Sequence, residues 1–337
     1  MFSLSESPTA ARERAPHNGG LRRRLPSERE LRETTWMSWP RPLDPSDSID
    51  VACEAVAATA SRSGPVSLLV EPDQATHLHD LGSSVEMVTG SVLSGSCMGA
   101  AGPSFLIGEQ GVQTIDWTRP ERHTVPRPRR RRTPGSPFVG LPMERSALDL
   151  GIIDTDGWGT ALLAPDTLER NQGWSRDDVA EELAHAVGIT KVVWLPHMLG
   201  DPDLGHGYAP AVFAGPGVVL VHDQQNIGHP DNETTIETVA LLTHTRDAVG
   251  RPLRVVRLPA PARLRENDDW LHWTYLGFGL VEGAVIVPLL DDPHDDLATE
   301  ILASAFEGRQ TIGVDARPLF RAGHSISCLL RGQPQPR

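Results

Sequence analysis

The chain has 337 residues, of which 39% are hydrophobic, so its length allows one large domain or two ordinary ones. Its formal net charge of -13 opposes general binding to nucleic acid or to anionic membranes, and it mildly favours cationic small-molecule partners. Because no stretch approaches the roughly 20 apolar residues that span a bilayer, and the start "MFSLSESPTAARERAPHNGG" lacks a charged leader followed by an apolar segment, we expect a cytoplasmic protein with no membrane partner.

Residues 1–25 are rich in Ser, Pro, Gly and Arg and show no apolar periodicity, which predicts a mobile extension. The first predicted helix is "DSIDVACEAVAATASRS", whose apolar positions recur at steps of three and four residues: Ile49, Cys53, Val56 and Ala60. This spacing places Cys53 on the apolar face. We therefore interpret Cys53 as a core residue.

Short apolar strands alternate with amphipathic helices along the rest of the chain. The most clearly marked helix is "SRDDVAEELAHAVGI", with Ser175 as N-cap, Asp178 three residues later and Gly188 at its carboxyl end. Strand-like runs such as "GPVSLLVEP", "KVVWLP", "GVVLVHD" and "GAVIVPLLDDP" lie on either side of such helices. This alternation predicts an α/β chain, and its recurring unit is compatible with degenerate repeats in a propeller-like array.

The segment 119–137, "RPERHTVPRPRRRRTPGSP", interrupts this pattern because it is dense in Arg and Pro. Its charges repel one another, so a solvated loop is the first interpretation. A contact for an anionic partner is the second, although no aromatic residues are interleaved to stack on bases. The third is that the underlying gene is read out of frame here.

The three cysteines, Cys53, Cys97 and Cys328, are scattered and lack CxxC spacing. They predict neither a disulfide framework nor a zinc site, and we expect no metal and no cofactor. Each thiol in this chain is therefore either an inert residue of the core or a reactive group.

Eight stretches, taken in order, resemble agmatine deiminase, of the peptidylarginine-deiminase-like group in the guanidine-modifying superfamily. They are "TTWMSWP", "GPSFLI", "DGWGTALL", "VVWLPHML", "LGHGYAPAVFAGPGVVLVH", "DDPHDD", "VDARPLF" and "GHSISC". The resemblance implies a five-bladed α/β propeller of pentein type, built from ββαβ units. It also implies a single domain over residues 26–332, followed by a short tail, 333–337.

The chemistry of such a family needs a cysteine, a histidine and two acids. A thiolate attacks the guanidinium carbon and forms a covalent intermediate. A histidine donates a proton to the departing amine and then activates water. Carboxylates hold the planar cation by paired hydrogen bonds and keep it charged.

The resemblance assigns the nucleophile to Cys328 and the acid and base to His206. In "GHSISC" the chain keeps Gly323, Ile326 and Cys328 of the terminal motif, and in "GHGY" it keeps the histidine of a glycine-histidine-valine-aspartate motif. Without the resemblance, Cys328 would be interpreted as an inert buried thiol and His206 as a turn residue.

Both substrate-binding aspartates of the family are replaced in this sequence. Tyr208 stands at one position, and "GAAGP" replaces the arginine-aspartate-threonine-glycine-proline motif, with Ala100 at the second. The family's glutamate falls on Asp149, which is interpreted as a guanidinium contact or as a turn residue, and Glu144 competes for the same role. The loss of two carboxylate anchors could remove several kcal/mol of transition-state stabilisation, which predicts inefficient agmatine hydrolysis.

Two bulky residues also enter the expected site. Tyr208 either fills the space or offers its hydroxyl group to a ligand. His324 replaces a glycine beside the thiol, where it either lowers the thiol pKa or occupies the cavity. We include Asp149, Tyr208 and His324 as candidate substrate-binding residues.

The first functional hypothesis is hydrolysis of a carbon–nitrogen bond in a small cationic guanidine or amidine, which feeds putrescine and polyamine biosynthesis. The second is a catalytically inactive homologue, either a binding protein or a decaying gene product. A replacement acid at Asp154, Asp156 or Asp223 would favour the enzyme, whereas closure of the site by Tyr208 and His324 would favour the inactive homologue. A homo-oligomer is compatible with either hypothesis.

Overall fold

The computed structural model describes residues 23–40, 49–70, 81, 83–89, 97–117, 141–150, 153–200, 207–266 and 268–336. Its strands are β1 (Arg23–Arg24), β2 (Arg32–Ser38), β3 (Val66–Val70), β4 (Val85–Thr89), β5 (Ser104–Gly108), β6 (Gly111–Trp117), β7 (Met143–Ser146), β8 (Asp154–Thr155), β9 (Thr160–Leu163), β10 (Lys191–Trp194), β11 (Ala211–Gly215), β12 (Val218–Asp223), β13 (Arg254–Pro259), β14 (Arg265–Glu266), β15 (Asp269–Trp270), β16 (Gly279–Val281), β17 (Ala284–Leu289), β18 (Gln310–Asp315) and β19 (Leu330–Pro334). Its helices are α1 (Asp50–Ser63), α2 (Met98–Ala101), α3 (Asp166–Arg170), α4 (Arg176–Val187), α5 (Asp231–Thr243), α6 (Asp295–Ala305), α7 (Arg317–Arg321) and α8 (Ile326–Leu329), with a short 3-10 helix at Tyr275–Gly277.

Five sheets of the described residues repeat one connectivity. In each, two strands pair antiparallel and a third pairs parallel to the second, as in β11-β12-β13 and β16-β17-β18. The same order is found in β5-β6-β7, in β8-β9-β10 and in β19-β2-β3. A parallel neighbour requires a crossover connection, and in four of these sheets helices supply it: α1 after β2, α3 and α4 after β9, α5 after β12, and α6 after β17. The connection between β6 and β7 lies mostly outside the described residues. These four sheets therefore contain the expected ββαβ unit, in a mixed α/β chain.

The helix predicted from apolar periodicity near residue 50 is confirmed as α1. Ile49, Cys53, Val56 and Ala60 are all buried, each with 2% exposure or less. Cys53 is thus a core residue, as the spacing predicts.

The helix marked by its capping residues is confirmed as α4. Ser175 Oγ accepts a hydrogen bond from the backbone N–H of Asp178 at 3.1 Å, and the Asp178 carboxylate accepts one from Ser175 N–H at 2.7 Å. Gly188 follows the helix with a φ of +74°, in the left-handed region that glycine tolerates best. Local sequence alone therefore defines both ends of this helix.

Strand pairing extends a few residues beyond both predicted ends of the domain. Arg23 and Arg24 pair with β5, although composition places them in the amino-terminal extension. Gln333 and Pro334 pair with β2, although they were expected in the tail. Hydrogen bonding to a distant sheet edge leaves no trace in the local sequence, so these pairings could not be predicted from it. Most of the predicted extension and the whole segment 119–137 lie outside the described residues.

The sheet β19-β2-β3-β4 pairs the last described strand with one of the first. β19 pairs antiparallel with β2, so that Leu330 lies opposite Met37 and Gly332 opposite Thr35. The short helix α8 comes immediately before β19 and packs into the largest core cluster, with Ile326 and Leu329 fully buried. The candidate nucleophile is therefore carried on a well-packed element.

None of the described helices is long and apolar enough to cross a membrane.

Candidate active site

Cys328 lies on α8 and is fixed by a reciprocal cap. Ser325 Oγ accepts a hydrogen bond from Cys328 N–H at 3.3 Å, and Ser325 N–H donates to Cys328 Sγ at 3.3 Å. The preceding turn passes through Gly323, whose φ of +75° disfavours other residues. The sulfur is thus held in one position with a backbone donor directed at it.

A second thiol, that of Cys97, contacts Cys328. Their Sγ atoms are 2.9 Å apart, and both cysteines are unoxidised and buried. Cys97 immediately precedes α2, which lies against α8 because Gly99 has no side chain. A Cβ at residue 99 would lie 2.7 Å from the Ser327 carbonyl oxygen and 3.0 Å from Cys328 Cα. The glycine that stands in place of the family's arginine therefore permits the approach of the two thiols.

His324 completes a cluster with the two cysteines. Its Nδ1 lies 3.1 Å from Cys97 Sγ and 3.9 Å from Cys328 Sγ. Its Nε2 is buried and has no hydrogen-bond partner among the residues that the structure describes. His324 therefore directs one ring nitrogen at both sulfurs. We call Cys97, His324 and Cys328 the thiol cluster.

The two cysteines of the thiol cluster have pKa values shifted in opposite directions. Burial acts to raise the pKa of the Cys328 thiol, but hydrogen bonds from Cys97 and His324, the charge of His324 and the Ser325 N–H outweigh it, and this pKa is lowered. The hydrogen bond to Cys328 and burial both raise the pKa of Cys97. The arrangement therefore favours a thiolate at Cys328 and a neutral thiol at Cys97 that donates to it.

Tyr208 borders the thiol cluster on another side. Its hydroxyl group donates a hydrogen bond of 3.5 Å to the backbone carbonyl of His324. Its ring packs against Phe320 at a centroid distance of 5.5 Å. Burial, and then the nearby Cys328 and Cys97, raise the pKa of the Tyr208 phenol, so the group stays neutral. Tyr208, His324 and Cys328, three of the predicted site residues, are thus neighbours.

Asp149 is buried and its backbone is fixed by one side chain. Asn171 Oδ1 accepts from Asp149 N–H at 2.7 Å, and Asn171 Nδ2 donates to the Asp149 carbonyl at 2.8 Å. Its competitor Glu144 is exposed and forms an ion pair with Arg23 at 2.5 Å. Glu144 therefore has a partner on β1, and the role of Asp149 stays a prediction.

The three acids considered as replacements all have other partners. Asp154 accepts a hydrogen bond from Phe213 N–H at 2.5 Å, and Asp156 accepts from the N–H groups of Trp158 and Thr160. Asp223 forms an ion pair with Arg257 at 2.8 Å. Among the described residues, no carboxylate is hydrogen-bonded to Tyr208 or to the thiol cluster.

The predicted acid and base, His206, lies in the segment 201–206, outside the described residues. Tyr208, two residues later, is described, and it pairs with Leu199 through backbone hydrogen bonds of 2.8 and 3.0 Å. The assignment of His206 therefore rests on the motif alone.

Sequence reasoning missed Cys97, which no spacing rule connects to Cys328. The resemblance offers a signal for Cys97, because "CMGAAGP" precedes β5 at the place of a substrate-binding motif of the family.

A second group of potential ligands, His229, Asp231 and His272, is a hydrogen-bonded network. His229 Nδ1 accepts from Asp231 N–H at 3.1 Å, and His229 Nε2 donates to the Leu271 carbonyl at 3.1 Å. The Asp231 carboxylate bonds His272 Nδ1 at 2.8 Å and accepts from Gly200 N–H at 3.1 Å. Both nitrogens of His229 are used, so this group braces the start of α5.

Comparisons with known proteins point to one family. A sequence model described as Porphyromonas-type peptidyl-arginine deiminase matches residues 24–334. A Streptomyces avermitilis protein provisionally named an agmatine deiminase is 34% identical over 337 residues, which cover 93% of this chain and 97% of that protein. The agmatine deiminase of Pseudomonas aeruginosa (strain LESB58) is 26% identical over 364 residues, which cover 93% of this chain and 96% of that protein.

The solved agmatine deiminase of Enterococcus faecalis has the same fold. The two structures align with a TM-score of 0.82 over 93% of this chain and 96% of that one, at 22% sequence identity. At this identity the likeness is evidence for the pentein-type α/β fold alone.

Proposed function

Because this chain belongs to the Porphyromonas-type peptidyl-arginine deiminase family, we propose that it hydrolyses a carbon–nitrogen bond in a linear guanidine or amidine through the thiol of Cys328. The names of its relatives support a hydrolase of the deiminase class and make agmatine the first substrate to test. The observation that carries the proposal is the placement of a thiol, an imidazole and a backbone N–H around the sulfur of Cys328, contacts that act to lower its pKa.

In the first half-reaction, Cys328 Sγ attacks the guanidinium carbon. A carbon–sulfur bond forms, and the bond to a terminal nitrogen breaks after that nitrogen has gained a proton, so ammonia leaves. Water then adds to the amidino carbon, the carbon–sulfur bond breaks, and the product departs as a ureido compound with the thiolate restored. We assign both proton transfers to His206 on the motif that it shares with the family.

Because no carboxylate of the described residues is hydrogen-bonded to Tyr208 or to the thiol cluster, we expect weak binding of a guanidinium beside Cys328. A hydrogen bond to a charged group contributes about 1.5–3 kcal/mol, and Tyr208 offers a neutral hydroxyl group in place of a carboxylate. We therefore propose slower turnover of agmatine than in a relative with both aspartates. Asp149 remains the proposed acid for the guanidinium.

One observation favours the second candidate, a catalytically inactive homologue. Tyr208 and His324 contact each other beside Cys328, and no carboxylate of the described residues is hydrogen-bonded to this group. Under this alternative the thiol cluster persists without turnover, and the protein binds a ligand or has lost its role.

We place the proposed reaction in putrescine and polyamine biosynthesis in the cytoplasm, with a small guanidine as the partner and a homo-oligomer as the assembly. The net charge of -13 supports a cationic substrate over nucleic acid.

The test is ammonia release from agmatine and related linear guanidines by the full chain, with a mass measurement of the Cys328 peptide. The proposal expects ammonia release and an amidino adduct on Cys328, both abolished by Cys328→Ala and both retained by Cys53→Ala, which removes a core thiol. No ammonia and no adduct with any guanidine would establish the inactive homologue instead.

A further inference from the structure

We propose that Cys97, His324 and Cys328 form a binding site for a thiophilic divalent cation, with Zn²⁺ as the best match to its donors. The three donor atoms are two cysteine sulfurs and one imidazole nitrogen, all within 4.8 Å of one another. They come from two segments that are far apart in the sequence, and their spacing gives no zinc motif. The site therefore exists only in the folded chain.

The three donor atoms contact one another, and Cys328 Sγ also accepts a hydrogen bond from the backbone N–H of Ser325 at 3.3 Å. Cys97 Sγ contacts Cys328 Sγ at 2.9 Å and His324 Nδ1 at 3.1 Å. His324 Nδ1 contacts only these two sulfurs among the described residues. Three good ligand atoms thus lie close together, and no other side chain of the described residues is hydrogen-bonded to them.

The donor set suits Zn²⁺ by its chemistry and nearly by its dimensions. Zinc is bound by two cysteines and one histidine in some catalytic sites, with a water or substrate as fourth ligand. Zn–S bonds of about 2.3 Å in a tetrahedron place two sulfurs roughly 3.8 Å apart. The two sulfurs would therefore have to separate by somewhat less than 1 Å from their hydrogen-bonded positions. A cation that replaces the shared protons would itself cause that separation.

Charge favours a cation at this centre. Two thiolates and a neutral imidazole neutralise a divalent ion, so that a buried site of this kind carries no net charge once filled. Without a cation, both thiolates cannot exist side by side at 2.9 Å, and at least one stays protonated.

The imidazole distinguishes a metal site from a disulfide. A bond between Cys97 and Cys328 would use both sulfurs and leave His324 Nδ1 facing an uncharged S–S group with little capacity to bond it. A metal site uses all three donors. The position of His324 Nδ1, 3.1 Å from one sulfur and 3.9 Å from the other, is explained by the metal site and not by the disulfide.

A bound cation would block the nucleophile. If Cys328 acts as proposed above, metal binding inhibits hydrolysis, and chelation restores it. This consequence depends on the proposed function, whereas metal binding itself does not.

The experiment measures binding directly on the full chain, reduced and freed of metal. Co²⁺ is added first, because tetrahedral cobalt with thiolate ligands has charge-transfer and visible absorption bands, and Zn²⁺ is then added to displace it. We expect stoichiometric Co²⁺ binding and loss of the bands with Zn²⁺. Cys97→Ser, Cys328→Ser and His324→Ala should each weaken Zn²⁺ binding by roughly tenfold or more.

Cys53→Ala is the matched control, since Cys53 is a buried thiol in the same core and outside the donor set. It should bind Co²⁺ as the unchanged chain does, and circular dichroism identifies any variant that fails to fold. Absence of the bands in the unchanged chain, or equal binding by folded Cys97→Ser, overturns the site. A Cys97–Cys328 disulfide that survives reduction, detected by intact mass, also overturns it. Because binding requires no turnover, these outcomes stand whether or not the chain hydrolyses guanidines.

Discussion

The sulfur atoms of Cys97 and Cys328 lie 2.9 Å apart although 231 positions separate the two residues in the sequence. The contact depends on the close packing of α2 against α8, and the imidazole of His324 lies beside both sulfur atoms. It makes the two thiols chemically unequal, which is measurable.

Thiol labelling should be selective for Cys328. Its pKa is lowered, whereas burial raises that of Cys53 and the hydrogen bond to Cys328 raises that of Cys97. We expect iodoacetamide to modify Cys328 first, and its labelling rate to persist as pH falls below the ordinary thiol range, where a free cysteine loses reactivity. Mass spectrometry of digests after brief labelling at several pH values measures this. Equal labelling of Cys53, or a Cys328 rate that falls with pH as a free thiol does, would contradict it.

Restoring a carboxylate at residue 208 should strengthen catalysis. We expect Tyr208→Asp to raise kcat/KM for agmatine by roughly tenfold to a hundredfold, because one hydrogen bond to a charged group contributes about 1.5–3 kcal/mol and tenfold in rate corresponds to about 1.4 kcal/mol. Tyr208→Asn is the matched control, since it has the same shape without the charge. A similar rise in both variants would show that removal of the ring, and not charge, is responsible.

Gly99→Ala should separate α2 from α8. The added Cβ would lie 2.7 Å from the Ser327 carbonyl oxygen, which is backbone and cannot turn aside. We expect a loss of about 1–3 kcal/mol in the free energy of unfolding, measured by urea denaturation, and slower labelling of Cys328. Gly228→Ala, at an exposed position whose nearest contact would be the Asn226 side chain at 3.3 Å, should have little effect. Equal stability of the two variants would argue against close packing at Gly99.

Asp154 should make stability depend on pH near neutrality. Burial raises the pKa of this carboxyl group to about 7, and the hydrogen bond from Phe213 N–H offsets burial only in part. In the unfolded chain its pKa is about 3.9, so the folded state holds more protons between about pH 4 and 7. Stability should therefore fall as pH rises through that window.

Asp154→Asn removes this titration and keeps an oxygen to accept from Phe213. We expect the variant to be more stable than the unchanged chain at pH 8, by on the order of 1–3 kcal/mol, and to match it more closely at pH 4.5. Urea denaturation at the two pH values provides the measurement. Parallel pH profiles for the two proteins would contradict the shift.

Local sequence predicts the elements whose signals are local. Periodic apolar residues define α1, and Ser175, Asp178 and Gly188 define α4, because helix formation depends on neighbours within a few positions. Strand pairing is not local. Arg23 and Gln333 therefore join sheets that composition could not foresee.

In the candidate site, too, some residues could be predicted from the sequence and others could not. The resemblance predicts that Cys328, His324 and Tyr208 belong to one site. In the structure Tyr208 contacts His324, and His324 contacts Cys328. Their roles in catalysis or substrate binding stay predictions. Cys97 could not be predicted as a partner by cysteine spacing, since its approach depends on a missing side chain at Gly99 and on the packing of two short helices. His206 lies outside the described residues, and its role stays a prediction.

The pairing of β19 with β2 has a consequence for folding. β2 (Arg32–Ser38) and its antiparallel partner, Leu330–Pro334, are far apart in the sequence: Trp36 and Gln333, which are hydrogen-bonded across the pair, are 297 positions apart. Closing so long a loop costs entropy, and until β19 pairs, one edge of β2 stays uncovered and is prone to intermolecular pairing. Because α8 precedes β19 directly, we expect the contact between Cys328 and Cys97 to form together with the closure of this sheet.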